Sequence, residues 1–411
     1  MNLSARSEVA SAYDEFDLRY HGWKVVVAAS LSVMVGFGSL FVYTFSVFLK
    51  PLSSEFGWSR EAISGGFAAA AITVGVCSPI LGRLLDRFEP RRVILPCMTI
   101  FGAGFLCLAF LRSHLWQFYG LCILLGIVGN GAAQLAFSRA IASWFYQRLG
   151  TALAGVMAGS GAGSMILPLL AQAFISHWNW RTAYFLLGTM ALVVGLPLSW
   201  RYVYEAPDRS SGPASSGLGD HSWQRGMASF PFWLIVTSLV LNSASINGVL
   251  AHLSALLTDR GISVEEAALG LGVLGAASLG GRLVVGGLLD RFRAQRVAFL
   301  TLLPAAAGIL LLARASAVLT SYLAAGLIGI GMGAEADVTP YLLKRYFGLR
   351  SFSTLYGLTW TFYAFAASIG PVLLGFSFDS TGSYTFMLVV LSVAMALAAT
   401  LMLFLPPYSD L

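Results

Sequence analysis

The seven residues GRLLDRF at positions 82–88 recur as GGLLDRF at positions 286–292, an offset of 204 residues. Further arginines follow both copies. A second correspondence links Trp-Phe at 144–145 with Tyr-Phe at 346–347, an offset of 202. Two matches at nearly the same offset predict that the chain consists of two similar halves in tandem.

The composition is typical of a membrane protein. Of the 411 residues, 57% are hydrophobic and 11% are charged, and the mean hydropathy is +0.77, whereas a soluble domain carries about 25% charged residues. The net charge of +6 includes no run of Lys or Arg longer than two residues, which argues against nucleic acid as a partner. The surroundings are therefore predicted to be membrane lipid.

Apolar stretches of about 20 residues, long enough to cross a bilayer, occur twelve times. We predict an all-α integral membrane protein with twelve spans near 23–49, 62–82, 92–111, 115–139, 149–176, 180–200, 231–257, 266–287, 295–314, 318–341, 352–376 and 384–405.

The polar, Ser/Gly-rich stretch at 201–230 is predicted to be a cytoplasmic linker between the halves. The six-helix halves then occupy 23–200 and 231–405, with a cytoplasmic N-terminal segment at 1–22 and a tail at 406–411. Because the first 22 residues hold no apolar core, we expect no cleaved signal peptide.

The orientation follows from the basic residues in the predicted connections. Eighteen Lys and Arg fall on the side that holds both termini and six on the other. Since basic residues favour the cytoplasmic side, both termini are predicted to be cytoplasmic. The expected location is a bacterial inner membrane, crossed many times.

Motifs of enzymes and ATP-driven pumps are absent from the sequence. Neither HExxH nor GxxxxGK[ST] occurs, which argues against a zinc peptidase and an ATP-driven pump. The four cysteines lie in apolar stretches without C-x-x-C spacing, as is typical of buried apolar side chains. We predict no enzyme activity, no catalytic residue, no metal and no cofactor.

The repeated motif, G-x-x-x-D-R, is expected in a loop after spans two and eight. Its Asp86 and Arg87, with Asp290 and Arg291 in the second copy, are candidates for a conformational latch, because charge pairs can form in one conformation and break in another. For a single copy, a solvated loop that only sets topology is an equal alternative, and the duplication favours the latch.

This motif resembles the loop signature of the major facilitator superfamily of secondary transporters, and the likeness covers the whole chain. The resemblance implies twelve helices in two parallel six-helix repeats that rock against each other around a central site. We expect the protein to function as a monomer.

A narrower resemblance is to the bacterial branch of the monocarboxylate transporter family. It rests on WFYQRLGTALAGVMAGSG at 144–161, HGW at 21–23, SVFLK at 46–50, and Asn130 in a Gly-rich span four. The oxalate/formate antiporter group shares several of these features. The resemblance implies a small monocarboxylate such as lactate or pyruvate as substrate, moved together with a proton.

Arg282 is an ionisable residue within span eight, and such residues are costly in a membrane. It lies eight residues before Asp290, roughly 12 Å along the helix, and Ser278 shares its face. A guanidinium can bind a carboxylate through two parallel hydrogen bonds, and the monocarboxylate family carries its substrate-binding arginine at the matching place. The alternative is an arginine that reaches the inner headgroups or pairs with an acid.

Span ten contains two acids, Glu335 and Asp337. Glu335 lies nine residues before Lys344, roughly 13 Å along the helix, close to the predicted depth of Arg282. Either acid is a candidate to neutralise Arg282 in the empty site and to accept the coupled proton. Being two residues apart, they point to nearly opposite sides, and a structural role is nearly as well supported, more so for Asp337.

Four further polar residues are candidates for the substrate site. His252 in span seven and Tyr43 in span one occupy comparable depths in repeat-equivalent helices, and the histidine is also a candidate proton donor. Asn130 and Gln134 in span four share a face by their spacing and are candidates for polar contacts; hydrogen bonding between helices is an equal alternative.

The sequence departs from the animal monocarboxylate transporters at two positions. Tyr43 replaces a lysine and Ser278 replaces an acid, so His252 or Glu335 would have to carry the proton. Against the oxalate-type exchangers, span eleven holds no Lys or Arg, and one cation within the membrane matches one carboxylate. We therefore expect proton-coupled transport of a monocarboxylate; a carboxylate anion exchanger and an exporter of drugs or amphiphiles remain alternatives.

Overall fold

The computed structural model describes residues 15–17, 19–206, 223–315 and 317–407. Within these ranges the chain is helical and has no strand. Twelve helices are long and apolar enough to cross a membrane, which confirms the prediction. These spans one to twelve are His21–Val42, Ala62–Arg87, Pro90–Leu108, Leu115–Trp144, Leu149–His177, Trp180–Tyr202, Phe230–Asp259, Leu269–Arg291, Ala294–Arg314, Val318–Phe347, Phe352–Phe378 and Thr385–Leu403.

Several helices extend beyond these spans or are divided within them. A helix Phe45–Phe56 follows span one, and a short helix Trp223–Met227 precedes span seven. The helices that extend beyond their spans are Arg60–Arg87, Val264–Arg291 and Phe352–Thr381. Span one is divided into His21–Met34 and a π-helix at Gly38–Val42, and span four into Leu115–Gly129 and Gln134–Trp144. Span six consists of Trp180–Met190, a π-helix at Ala191–Gly195, and Leu196–Tyr202.

The chain divides into two compact units, Met1–Pro213 and Ala214–Leu411. The division lies inside the stretch 201–230 that the sequence analysis predicts to be a linker. Most of that stretch, residues 207–222, lies outside the described residues, as do 1–14 of the predicted N-terminal segment and 408–411 of the predicted tail.

The repeated motif differs from its prediction, because it is helical. Residues 82–87 form nearly the last two turns of span two, and the Phe88 N–H still donates to the Leu84 carbonyl at 2.8 Å. The second copy ends in the same way, with the Phe292 N–H on the Leu288 carbonyl at 2.8 Å. The prediction of a loop was wrong there, since charged side chains can reach water from the end of a helix while its backbone bonds are kept.

Among the described residues, three helices begin with a cap formed by the side chain of their own N-cap residue. Ser59 accepts a hydrogen bond from the Ala62 N–H at 3.1 Å, and Asn179 accepts one from Thr182 at 2.8 Å. Ser263 takes part in a complete capping box. Each cap satisfies an N–H that the helix leaves without a partner, so these starts are set locally by the sequence.

In the first unit, span five packs closely on span one through glycines four residues apart. A Cβ atom at Gly155 would lie 2.9 Å from a methyl of Val26, and one at Gly159 would overlap the backbone carbonyl of Ser30. One turn further, Gly163 faces Met34 and Ser39 in the same way. Small residues let two helix backbones approach at this distance.

Spans one and four are interrupted where they face each other. Span one leaves regular helix after Met34, and span four is broken at Ala133, whose φ of −140° and ψ of −166° are extended. A Cβ atom at Gly36 would overlap the Ala132 carbonyl, so the two interruptions are in direct backbone contact. Irregular backbone within a span is characteristic of transporters, where it is buried or lines a cavity.

The start of span five is capped from far away in the sequence. The buried carboxylate of Glu15 accepts hydrogen bonds from the backbone N–H groups of Tyr146, Gln147 and Arg148 at 2.7 to 2.8 Å. Negative charge is favourable at a helix N-terminus. The guanidinium of Arg148 in turn lies over the Phe16 ring, 4.7 Å from its centre.

In the second unit, spans eight and ten pack closely, as do spans seven and eleven, and span nine lies between ten and twelve. Serine hydroxyls connect several helices, because Ser245 donates to the Leu391 carbonyl at 3.0 Å and Ser392 donates to that of Ala306 at 2.8 Å. These contacts fix the helices that carry the candidate site.

Candidate functional site

Arg282 lies where span eight packs most closely on span ten. A Cβ atom at Gly333 would overlap the Ser278 carbonyl and would lie 3.0 Å from the Arg282 backbone nitrogen. One turn earlier, Gly329 faces the Leu274 carbonyl in the same way. The absence of side chains at these glycines brings the acids of span ten beside Arg282.

The side chain of Arg282 is half-buried. Among the described residues, no hydrogen bond or ion pair holds its guanidinium. Both acids of span ten nevertheless interact with it electrostatically. Five N–H donors of a permanently charged group are thus available, while Ser278, on the same face, is buried at the contact with span ten.

Asp337 follows Gly333 by one helical turn and therefore lies on the side of span ten that faces span eight. It has no exposed surface, and both carboxyl oxygens are buried without a hydrogen-bond partner among the described residues. An ionised carboxyl group is costly to bury in this state, and the Arg282 guanidinium is the charge that interacts with it.

Glu335 points to a different side of span ten, as the spacing of the two acids predicts. It lines a small cavity together with Asn242 of span seven, whose amide group lies beside its carboxyl group. Asn242 was missed in the sequence analysis, because an isolated asparagine 93 residues away carries no spacing signal that links it to Glu335. Its polarity within an apolar span was the one available indication.

His252 contacts the other helices of its own unit. One ring nitrogen, Nε2, lies 3.1 Å from the Pro371 carbonyl of span eleven, and the ring centre lies 5.6 Å from that of Tyr384. Among the described residues, no hydrogen bond or ring contact joins His252 to Arg282. The structure therefore holds the histidine between spans seven and eleven.

The three candidates of the first unit have different surroundings. Asn130 is buried and its amide donates to the Ser78 hydroxyl at 2.5 Å, so it joins spans four and two. Gln134 begins the second helix of span four, directly after the break, and has an interaction partner. Tyr43, with 38% of its surface exposed, is the most accessible of the three.

The first copy of the repeated motif forms a charge network. Asp86 accepts a hydrogen bond from Arg139 of span four at 3.3 Å, and Arg139 also binds Glu205 at 2.9 Å. Arg87 lies over the Phe88 ring instead, at 5.6 Å. In the second copy, Asp290 has an interaction partner.

Within the described ranges, no group of three or more His, Cys, Asp or Glu residues is arranged to hold a metal ion. The cysteines there are free thiols, and only Cys107 is exposed. The site chemistry described above consists of one guanidinium, two carboxyl groups and neutral polar side chains.

A comparison with protein families shows to which family the chain belongs. The family model of the Major Facilitator Superfamily matches residues 30–371. The chain belongs to the Major Facilitator Superfamily. As a member of this superfamily it is a multi-pass membrane transporter and not an enzyme, as the sequence predicts.

Several proteins are similar to nearly the whole chain. A 38 kDa protein of Thermoproteus tenax is 28% identical over 375 residues, 90% of this chain and 92% of that one. Human monocarboxylate transporter 11 is 26% identical over 382 residues, 89% of this chain and 79% of that one. Among solved structures, the proton:xylose symporter XylE superimposes with a TM-score of 0.72 at 17% identity, covering 94% of this chain and 96% of that one, which supports the fold.

Proposed function

We propose that this transporter moves a small monocarboxylate such as lactate or pyruvate together with a proton, and that Arg282 holds the carboxylate. The observation that carries the proposal is the guanidinium of Arg282, which is half-buried beside two acids and is held by no hydrogen bond or ion pair among the described residues. The similarity to human monocarboxylate transporter 11 supports the choice of substrate class.

Asp337 is the group that we propose to accept the proton. When the site is empty, its carboxylate offsets the charge of Arg282. When a substrate carboxylate occupies the guanidinium, an ionised Asp337 is left buried without compensation, which is costly. Uptake of a proton removes this cost. The loaded site then carries no net charge, and a neutral site passes through the membrane interior more easily.

The remaining predicted residues have supporting parts in this proposal. Ser278, Tyr43 and Gln134 are the proposed polar contacts to the substrate, and His252 is a further candidate for contact and for proton transfer. Asn130 is a weaker candidate, because its amide is already bonded to Ser78. We further propose a monomer in a bacterial inner membrane with both termini cytoplasmic.

Uptake of radiolabelled L-lactate into proteoliposomes with an imposed inward proton gradient tests the substrate site. Two hydrogen bonds to a charged group contribute about 1.5–3 kcal/mol each, so Arg282→Ala should weaken substrate affinity by about 100-fold or more. Arg282→Lys, which keeps the charge and loses the paired geometry, should retain part of it. Arg314→Ala, at the exposed end of span nine, is the matched control and should transport like wild type.

The same vesicles test the proton coupling through Asp337→Asn. This variant should lose gradient-driven accumulation and keep exchange of lactate against lactate, since exchange needs no net proton movement. Uptake by wild type only with a preloaded counter-anion would show a carboxylate exchanger, and transport that survives Arg282→Ala would point to an exporter of amphiphiles. Either result would contradict the proposal.

A further inference from the structure

A small cavity lies inside the second unit, on the side of span ten that carries Glu335. It is bounded by spans seven, nine, ten and twelve and has a volume of about 30 Å³. Arg282 is not among its lining residues. The polar side chains that line it are Ser238, Asn242, Thr301, Glu335 and Thr339. A cavity of this size has room for about two water molecules, and lactate is too large for it.

The hydroxyl groups of two of these residues donate hydrogen bonds to backbone carbonyls. The Ser238 hydroxyl donates to the Ala398 carbonyl at 2.9 Å. The Thr301 hydroxyl donates to the Val297 carbonyl at 2.9 Å. Because a hydroxyl group has one hydrogen and two lone pairs, both residues can offer only lone pairs to the cavity.

Two further oxygen atoms at the cavity are acceptors without donors. Oε1 of Glu335 and Oδ1 of Asn242 are buried and have no hydrogen-bond partner among the described residues, and Asn242 as a whole is 2% exposed. Buried acceptors that lack a partner are costly. These unpartnered oxygen atoms favour a positively charged or hydrogen-donating occupant of the cavity.

The charge and the atom types define that occupant more closely. The polar side chains that line the cavity carry carboxyl, amide and hydroxyl oxygens, the ligands that hard cations prefer. The cavity contains a single carboxyl group, which also interacts electrostatically with Arg282, so a divalent ion would leave an uncompensated positive charge and a monovalent ion is the better match. The volume admits one small dehydrated ion with one water molecule.

We propose that this cavity is a binding site for a monovalent cation of the size of Na⁺, with Glu335 and Asn242 as its principal ligands and the hydroxyl oxygens of Ser238 and Thr301 completing the set. The site lies on a different side of span ten from the contact with Arg282. Although Glu335 also interacts electrostatically with Arg282, the proposed cation site can be tested without any transport of a monocarboxylate.

Thermal unfolding of the purified full-length protein tests this site without any transport substrate. The probe is NaCl, titrated against choline chloride at constant ionic strength and fixed pH. A ligand that binds only the folded state raises the melting temperature in a saturable way. We expect such a rise with Na⁺ and none with choline, and a larger half-saturating concentration for K⁺ than for Na⁺.

Variants assign the effect to the cavity. Glu335→Gln should abolish the Na⁺-dependent rise, and Thr301→Val, a milder change, should increase the half-saturating concentration about tenfold, as expected for one lost polar ligand. Asn247→Ala is the matched control on the same span. Its amide bonds Ser243 and Tyr363 instead, so it should keep the full response to Na⁺.

Three results would overturn the proposal. One is a melting temperature of wild type that does not respond to Na⁺ at any pH, which would mean that a proton or water occupies the cavity. Another is an unchanged half-saturating concentration in Thr301→Val. The third is a Na⁺ response that persists in Glu335→Gln. If that variant fails to fold, binding of radioactive ²²Na⁺ to Thr301→Val and Asn247→Ala decides the question.

Discussion

Replacing Gly333 with alanine would place a methyl group against span eight at Arg282. The new Cβ atom would lie 3.0 Å from the Arg282 backbone nitrogen, and ordinary contacts begin at 3.4 Å. The two helices would therefore have to separate by more than about 0.4 Å, because the Ser278 carbonyl oxygen is closer still. Overpacking of this kind costs about 1–3 kcal/mol, which the better helix propensity of alanine, about 1 kcal/mol, offsets only in part. We expect a lower melting temperature than that of wild type.

Gly280→Ala is the matched control for this prediction. Gly280 lies on span eight, close to Arg282, and a Cβ atom there would have no heavy atom within 4 Å. This substitution should be neutral or should stabilise by about 0.4–1 kcal/mol. The measurement is thermal unfolding of both purified variants in the same detergent. If Gly333→Ala melts at or above Gly280→Ala, the close packing at Arg282 is refuted.

Three further predictions concern the first unit. Glu15→Gln should destabilise the folded state by about 1–2 kcal/mol, because a neutral side chain caps span five less well; an unchanged melting temperature would contradict this cap. A hydrogen bond from Trp180 and the neighbouring guanidinium lower the pKa of Glu55 from its ordinary value of 4.5, so its stabilisation is present above that pH and lost below it. The stability difference between wild type and Glu55→Gln should accordingly shrink as the pH falls from 6 to 3, and a constant difference would disprove it. Ser78→Ala leaves the Asn130 amide without its acceptor and should cost about 1–3 kcal/mol, measured by thermal unfolding against wild type.

The twelve spans could be predicted from the sequence because the signal is local. Each helix carries its own run of apolar residues, and bilayer thickness sets the required length. The end of span two was placed too early for the same reason, since hydropathy registers Arg83 and Asp86 as polar. Helical backbone bonds continue to Phe88 regardless of side-chain charge.

Only part of the surroundings of Arg282 could be predicted from the sequence. Helix rise placed Glu335 near its depth, and the two-residue spacing separated the sides of Glu335 and Asp337. The neighbour of Glu335 in the cavity could not be predicted from the sequence, because the packing of spans seven and ten brings Asn242 to it. The cap formed by Glu15 was missed for the same reason, since its partners lie more than 130 residues later.

That cap also imposes an order on biosynthesis. Residues 146–148 must leave the ribosome before the Glu15 carboxylate has anything to bind, and translation at about 5–20 residues per second places this event roughly 7–26 s after Glu15 itself is made. During that interval span one and the segment before it have no partner at the start of span five. Assembly of the first unit therefore joins its earliest described segment to one that is made only after span four, and a nascent chain arrested after span four should leave Glu15 accessible to modification.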